Sequence, residues 1–331
     1  MAAGSGPPPG AGGPASRGGP EWRIYGLHRA VKCCVVLAEV HEFRVSAISF
    51  SSLTMQGLGL LIALAGSAHA LTLPTHFASS MVLQRDAPIL FWGLDTPGAT
   101  VTVTYRGLLQ PPAVADATGR FSLTLPALPK NATPCSLLVR SSLGPELALM
   151  DILLGDVFVC SGQSNQAIPV AWSLYYNDTL AQSDALGSRL RLLQVAALGS
   201  YVDTTTPQDN FTASIPWSRA SPLTAAPFSA LCYHFGAQVA QAYPDLPVGL
   251  LANAWGGVAI EVFMSPAALA ACAATPPREA TPPAHRAVLN ALTALEAAMH
   301  GAAAPVKPSC LYNAMMHPIL SIPVTAFLWY R

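Results

Sequence analysis

Charge is scarce in this chain and evenly split. Asp, Glu, Lys and Arg make up 10% of its 331 residues, with 17 basic side chains against 17 acidic ones. Such a balance gives no basic field for nucleic acid and no cationic face for an anionic membrane, so neither is expected as a partner. The apolar stretch from Gly57 to Ala68 falls short of the roughly 20 residues a bilayer crossing needs, so no stable span is expected. The seven cysteines contain no CxxC and no Cys/His cluster, so no metal site is expected. The GxSxG nucleophile elbow is missing as well. At GQSNQ, Gln166 stands where the second glycine should be.

Small and apolar residues fill the space that charge leaves. Residues 1–20 are Gly/Pro/Ala low complexity and cannot build a core, and 1–54 together read as a disordered extension. From Met55 the sequence MQGLGLLIALAGSAHA is a short apolar run closed by Ala68-His69-Ala70. That is a small-x-small cleavage pattern, so 55–70 reads as a secretory signal with Leu71 as the mature terminus. Asn131, Asn177 and Asn210 each head an Asn-x-Thr sequon, in keeping with a secreted, lysosomal or extracellular glycoprotein, and Pro134 makes the first a poor acceptor. Five cysteines lie beyond Ala70, so one thiol is left free or a partner is missing.

The hydrophobic periodicity then changes character. Over 71–150, short runs separated by Pro97-Gly98 and Thr118-Gly119 include Val101, Val103 and Tyr105 alternating with Thr102 and Thr104. This predicts a small all-β, sandwich-like domain. Over 151–331, apolar strand candidates at 157–160, 190–196, 248–253 and 324–330 enclose residues at helical spacing. These are Phe228, Leu231, Cys232, Phe235 and Val239, then Val288, Leu292, Leu295 and Met299. The alternation predicts an α/β domain with a parallel sheet and a ligand cleft at the strands' carboxyl ends. TPPREATPPAH, at 275–285, reads as a surface loop.

Two stretches would meet at that rim. In GDVFVCSGQSNQ the first strand drops into small polar residues and presents Ser164, flanked by Gln163 and Asn165. On these residues alone, a plain turn with Ser164 or Asn165 as the N-cap of a following helix is the better account, ahead of a reactive hydroxyl. In PVGLLANAWGGVAIEVFM a strand ends in Trp255-Gly256-Gly257, either a glycine turn or a pair of backbone N–H groups able to hold an oxyanion.

GDVFVCSGQSN, SSMVLQRDAPILFWGLDTPGATVTV, LPVGLLANAWGGVAIEVF and LYNAMMHPIL, in that order between about Phe77 and Tyr330, together resemble the sialate O-acetylesterases of the SGNH-type hydrolases. The resemblance implies a three-layer α/β/α hydrolase domain preceded by the β domain, and a serine esterase that removes O-acetyl groups from sialic acids or sialoglycans without a cofactor. It implies Ser164 as nucleophile and the N–H groups of Ser164 and Gly257 as oxyanion hole, with Gln163, Asn165 and Gly256 as pocket residues. Gln166, Val258 and Phe263 depart from the family pattern at pocket positions. The family's WYQGE block and later Asp-x-x-His pair have no counterpart before Arg331. By this resemblance the chain carries only the N-terminal part of the hydrolase domain, and none of His76, His234, His285, His300 and His317 receives the base role. A non-catalytic sialoglycan-binding or regulatory form is the alternative reading.

Overall fold

The computed structural model describes residues 70–273 and 307–330. The extension, the signal-like segment up to His69, the loop at 275–285 and the helical spacing from Val288 to Met299 lie outside the described residues, as do His285 and His300.

The first strands are β1 (Val82–Gln84), β2 (Ile89–Leu94), β3 (Thr100–Tyr105), β4 (Leu108–Leu109), β5 (Ala113–Val114), β6 (Arg120–Leu125) and β7 (Asn131–Ser141). The expected alternation in β3 is present: Val101, Val103 and Tyr105 are buried and the threonines between them half-exposed. Among the named strands β2 pairs with β6, with a further bridge from Leu94 to Thr72, while β3 joins β7, β4 and β5. Next comes β8 (Glu146–Gly162), 17 residues long and the spine of the molecule. Its first part pairs antiparallel with β7, and its second part lies parallel to β1 and two later strands.

The expected strand began at 157, and the observed one starts eleven residues earlier for a physical reason. From Glu146 to Asp151 exposed and half-buried residues alternate; from Ile152 onward every residue is buried. A half-covered ribbon and a fully covered strand have different periods, so one strand reads as two signals. The change falls at Asp151, whose φ is 60°. Its carboxylate accepts hydrogen bonds from Ser80 Oγ (2.9 Å), Arg219 (2.9 and 3.0 Å) and Arg191 (3.1 Å), which is wholly buried. Burial pushes the Asp151 pKa up, but the bonds from Arg219 and Ser80 and the Arg191 charge outweigh it and hold the group low.

After β8 follow α1 (Ser164–Ala167), α2 (Tyr176–Leu186), β9 (Leu190–Val195), β10 (Ala213–Arg219), α3 (Pro222–Ala225), α4 (Ala230–Ala242), β11 (Val248–Ala254), α5 (Pro266–Ala273) and β12 (Ala326–Tyr330). A π-turn at Tyr312–Met316 and a 3-10 turn at His317–Ile319 precede β12. β9, β11, β8 and β12 run parallel, as the strand–helix alternation predicts. β10 adds an antiparallel outer strand, so the sheet is mixed.

β8, β9 and β11 each feed two cores, whereas β12 contributes only Leu328, to the one under α4. Phe158, Cys160, Leu190, Leu192, Val248, Leu250 and Ala252 pack under α4 against Phe228, Cys232, Tyr233 and Ala237. Val159, Leu193, Val195 and Leu251 face the other way, toward Leu311, Ala314 and Met315, in a core continuous with Phe91, Val101 and Phe121. The helical spacing predicted Leu231 on the buried face of α4, but Leu231 is exposed. Apart from Tyr233 the face that packs carries small residues, because α4 lies almost on the sheet: a Cβ at Gly236 would sit 2.4 Å from the Leu250 side chain.

Candidate active site

Three strands end side by side. In the register of the sheet Gly162 of β8 lies opposite Ala254 of β11 on one side and Tyr330 of β12 on the other. The Gln163 N–H donates to the Tyr330 carbonyl (3.0 Å), and the Trp255 N–H donates to the Gly162 carbonyl (3.1 Å). Gly162 cannot be replaced cheaply, because its φ is +146° and a Cβ there would stand 1.9 Å from the Tyr330 carbonyl oxygen. These contacts fix the origin of two turns, one reaching Ser164 two residues later and one reaching Gly257 three residues later.

Ser164 is the first residue of α1 and is half-buried. Neither Ser164 nor Asn165 is the N-cap. That position belongs to Gln163, which is extended (φ −106°, ψ −155°) and makes no side-chain capping bond. The chain needs Gly162 and one extended residue to turn off the strand, which moves the cap one residue earlier than the sequence suggests. Asn165 is exposed and Gln163 half-buried.

The turn is anchored from below. Gln166 is buried, and its Nε2 lies 3.0 Å from Ser229 Oγ, which in turn donates to the Gln166 carbonyl (2.6 Å). Ser229 is the N-cap of α4, accepting from the Cys232 N–H (3.3 Å), and its own N–H donates to Gln194 Oε1 (3.1 Å). A disulfide joins Cys160 of β8 to Cys232 of α4. Ser164 therefore stands four residues past a covalent tie to the helix beneath it.

Gly257 is buried and takes a left-handed φ of 72°, with Gly256 half-buried before it. A tight crevice beside this turn, with no room for a water molecule, is lined by Gly162, Gln163, Val258, Ala259, Ile260, Phe263 and Trp329. Phe263 meets Trp329 edge to face, their ring centroids 5.4 Å apart. The crevice thus brings Gln163 together with Val258 and Phe263, two of the positions where the sequence departs from the family pattern. Ser164, Asn165, Gly256 and Gly257 border its walls in sequence without lining it. A larger hollow of about 570 Å³ lies in the loop between β9 and β10, around Tyr201, Thr204 and Phe211, and holds none of the residues of either turn.

No histidine among the described residues hydrogen-bonds Ser164. His76 is buried against Phe77, and burial lowers its pKa to about 3. His234 lies on the outer face of α4 beside Tyr233, and partial desolvation of its ring lowers its pKa too. His317 Nδ1 lies 2.8 Å from the Gln208 carbonyl oxygen. Among the described residues no group of three or more His, Cys, Asp and Glu is placed to hold a metal, and no helix is long and apolar enough to cross a membrane.

Of the sequons, Asn131 opens β7 with its Oδ1 accepting from the Thr133 N–H, while Asn210 Oδ1 accepts from the Thr75 and Phe211 N–H groups. Asn177 is exposed in the first turn of α2. Sequence reasoning missed the Cys160–Cys232 bond, the Gln166–Ser229 tie and the Trp329 wall. Only the helical spacing around Cys232 hinted at any of them, by placing that residue on a packed face.

No protein-family model matches the chain. Human sialate O-acetylesterase is 29% identical over 273 residues, covering 78% of this chain and 47% of its own length. The rat sialate O-acetylesterase is 29% identical over 305 residues, covering 83% of this chain and 55% of its own. The crystal structure of a carbohydrate acetylesterase from Xanthomonas citri superimposes with a TM-score of 0.62 at 30% identity, over 79% of this chain and 51% of that one. The chain spans about half the length of the curated relatives it matches.

Proposed function

We propose that this chain carries the nucleophile half of a sialate O-acetylesterase-like serine esterase in an SGNH-type α/β/α domain, with residues 71–150 as a β-sandwich-like domain before it. The observation that carries the reading is the register that sets the Ser164 turn beside the Gly256-Gly257 turn at one sheet edge. Ser164 Oγ attacks the acetyl carbonyl, and the N–H groups of Ser164 and Gly257 hold the oxyanion. Collapse of the intermediate expels the sugar hydroxyl, and water then cleaves the acetyl-serine to acetate and free serine. The relatives' names point to O-acetylated sialic acid as the substrate class. The disulfide and the three sequons support a secretory route ending in a lysosomal or extracellular location.

A serine hydroxyl is a weak nucleophile at neutral pH unless a base takes its proton. The described residues bring no histidine to Ser164, which favours, as a second reading, sialoglycan binding without turnover. In a comparable serine protease, loss of the nucleophile or the histidine lowers turnover by roughly 10⁶-fold. The test measures acetate release from an O-acetylated sialoside by the chain, by a fusion that continues it with the remaining half of a matched relative, and by Ser164→Ala in each. We expect the chain alone to sit near background, and the fusion to be active and to lose its activity with Ser164→Ala. A fusion that keeps its activity without Ser164 would end the proposal. Ser164-dependent turnover by the chain alone would place a base within it, with His317 the first residue to replace.

A further inference from the structure

Four exposed large apolar side chains follow the Ser164 turn in one short stretch. Trp172 is 73% exposed, Leu174 85% and Tyr175 80%, and Tyr176 follows at 41%. Their backbone is not loose: Val170 N–H donates to the Phe228 carbonyl, Ala171 N–H to Ala226, and Ser173 N–H to Val170, all at 2.9 Å. Tyr175 is held in the left-handed region (φ 59°), and its carbonyl accepts from the Asp178 and Thr179 N–H groups at the start of α2. A fixed ribbon that holds two large aromatics and a leucine out in water costs free energy unless something covers them.

The same ribbon carries an acceptor. Asn177 lies two residues after Tyr175, heads the sequon Asn177-Asp178-Thr179, is exposed, and makes no side-chain hydrogen bond among the described residues. In the other two sequons the asparagine Oδ1 is already engaged with backbone N–H groups. From Gln163 to Leu186 the ionisable side chains include Asp178 and Asp184 and no Lys, Arg or His, so nothing in this stretch draws an anionic ligand or an anionic lipid surface. A neutral sugar ring suits it. Such a ring has an apolar C–H face that stacks on an aromatic side chain, and hydroxyls that stay in water.

We propose that Asn177 is an N-glycosylation site, and that the first sugars of its glycan lie over Tyr175 and Trp172. In the transfer, Asn177 Nδ2 displaces the diphosphate of a lipid-linked oligosaccharide donor at the sugar's anomeric carbon. The new C–N bond replaces the C–O bond, and the nitrogen loses one proton. The inference rests on the secretory route proposed above, but not on Ser164 or on ester hydrolysis.

The full chain, given an added cleavable signal sequence, is expressed in mammalian cells, so the acceptor is tested whatever route the native chain takes. Site occupancy is read by mass spectrometry after enzymatic release of the glycans in heavy-oxygen water. Chymotryptic cleavage after Trp172 and Tyr175 is followed before and after that release, and again after trimming to a single N-acetylglucosamine. We expect Asn177 to be occupied, cleavage to quicken at least several-fold on full release, and the single remaining sugar to retain most of the protection. Tyr175→Ala should leave occupancy unchanged while exposing Trp172 as full release does. An unoccupied Asn177 overturns the proposal, whether or not Asn131 or Asn210 is modified. So does cleavage indifferent to the glycan, or a patch that instead drives Tyr175-dependent self-association and so belongs to a second copy. An unmodified chain under its native leader, with Asn177 occupied under the added one, would sink the secretory reading and leave the site standing.

Discussion

Acid should loosen this fold through His76. The imidazole is 5% exposed and packs on Phe77 with ring centroids 4.2 Å apart; its Nδ1 has no hydrogen-bond partner. Its carbonyl is fixed by the Trp217 indole (2.9 Å), so the backbone cannot swing the ring out without breaking a buried bond. Burial without a partner favours the neutral form and lowers the pKa to about 3, from 6.5 when exposed. The folded state therefore binds fewer protons than the unfolded one between those values, so stability is present above pH 6.5 and lost as pH falls toward 3. Between pH 7 and pH 5 the shift amounts to about 2 kcal/mol, and over its whole range to about 5 kcal/mol. Asp151, whose pKa is also depressed, adds a loss of the same sign, but only at pH values below those of an exposed carboxylate. The pH 7 to 5 window thus isolates the histidines. Urea unfolding at both pH values, for the native chain and for His76→Leu, reads the effect as a change in midpoint at constant slope. The native chain should lose about 2 kcal/mol and the variant much less, with a residue left by His234, which shifts the same way. A variant that keeps the full pH dependence would show that the buried ring is not its source.

Removing the Cys160–Cys232 bond with paired alanines should cost about 4 kcal/mol by loop-closure entropy, since it closes 72 residues; a thermal or urea midpoint unchanged under reduction would refute this. Gly162→Ala should part β12 from β8, because the new Cβ overlaps the Tyr330 carbonyl at a positive φ. The backbone strain alone is about 1–3 kcal/mol, and hydrogen exchange of the Gln163 amide should quicken while that of β9 stays unchanged.

What the sequence disclosed, and what it hid, follows from how far each feature depends on distant neighbours. β3 was legible because its alternation of valine and threonine is decided by one buried face. The parallel strands were legible because burial on both faces leaves a nearly unbroken apolar run, as in β11. β10 escaped: ASIPWSR holds Pro216, which reads as a strand breaker, yet an outer antiparallel strand with register shifts tolerates it. The pairing of Cys160 with Cys232 has no local signal, because sequence spacing does not say which helix covers which strand.

The site divides along the same line. That Ser164 follows a strand could be read directly, since apolar Val157 to Cys160 give way to small polar residues. That a second strand ending in Trp255-Gly256-Gly257 would share its rim was also legible, and Ala254 does pair with Gly162; that Trp329 walls the site was not, because this depends on Tyr330 pairing in register with Gly162 from about 170 residues away. The hydroxyl is set by its own short motif, whereas its walls are supplied by three strand ends whose order and offset emerge only when the sheet assembles. Substitutions at Gly162 or at the β12 pairing should therefore disturb the crevice as surely as changes at Ser164 itself.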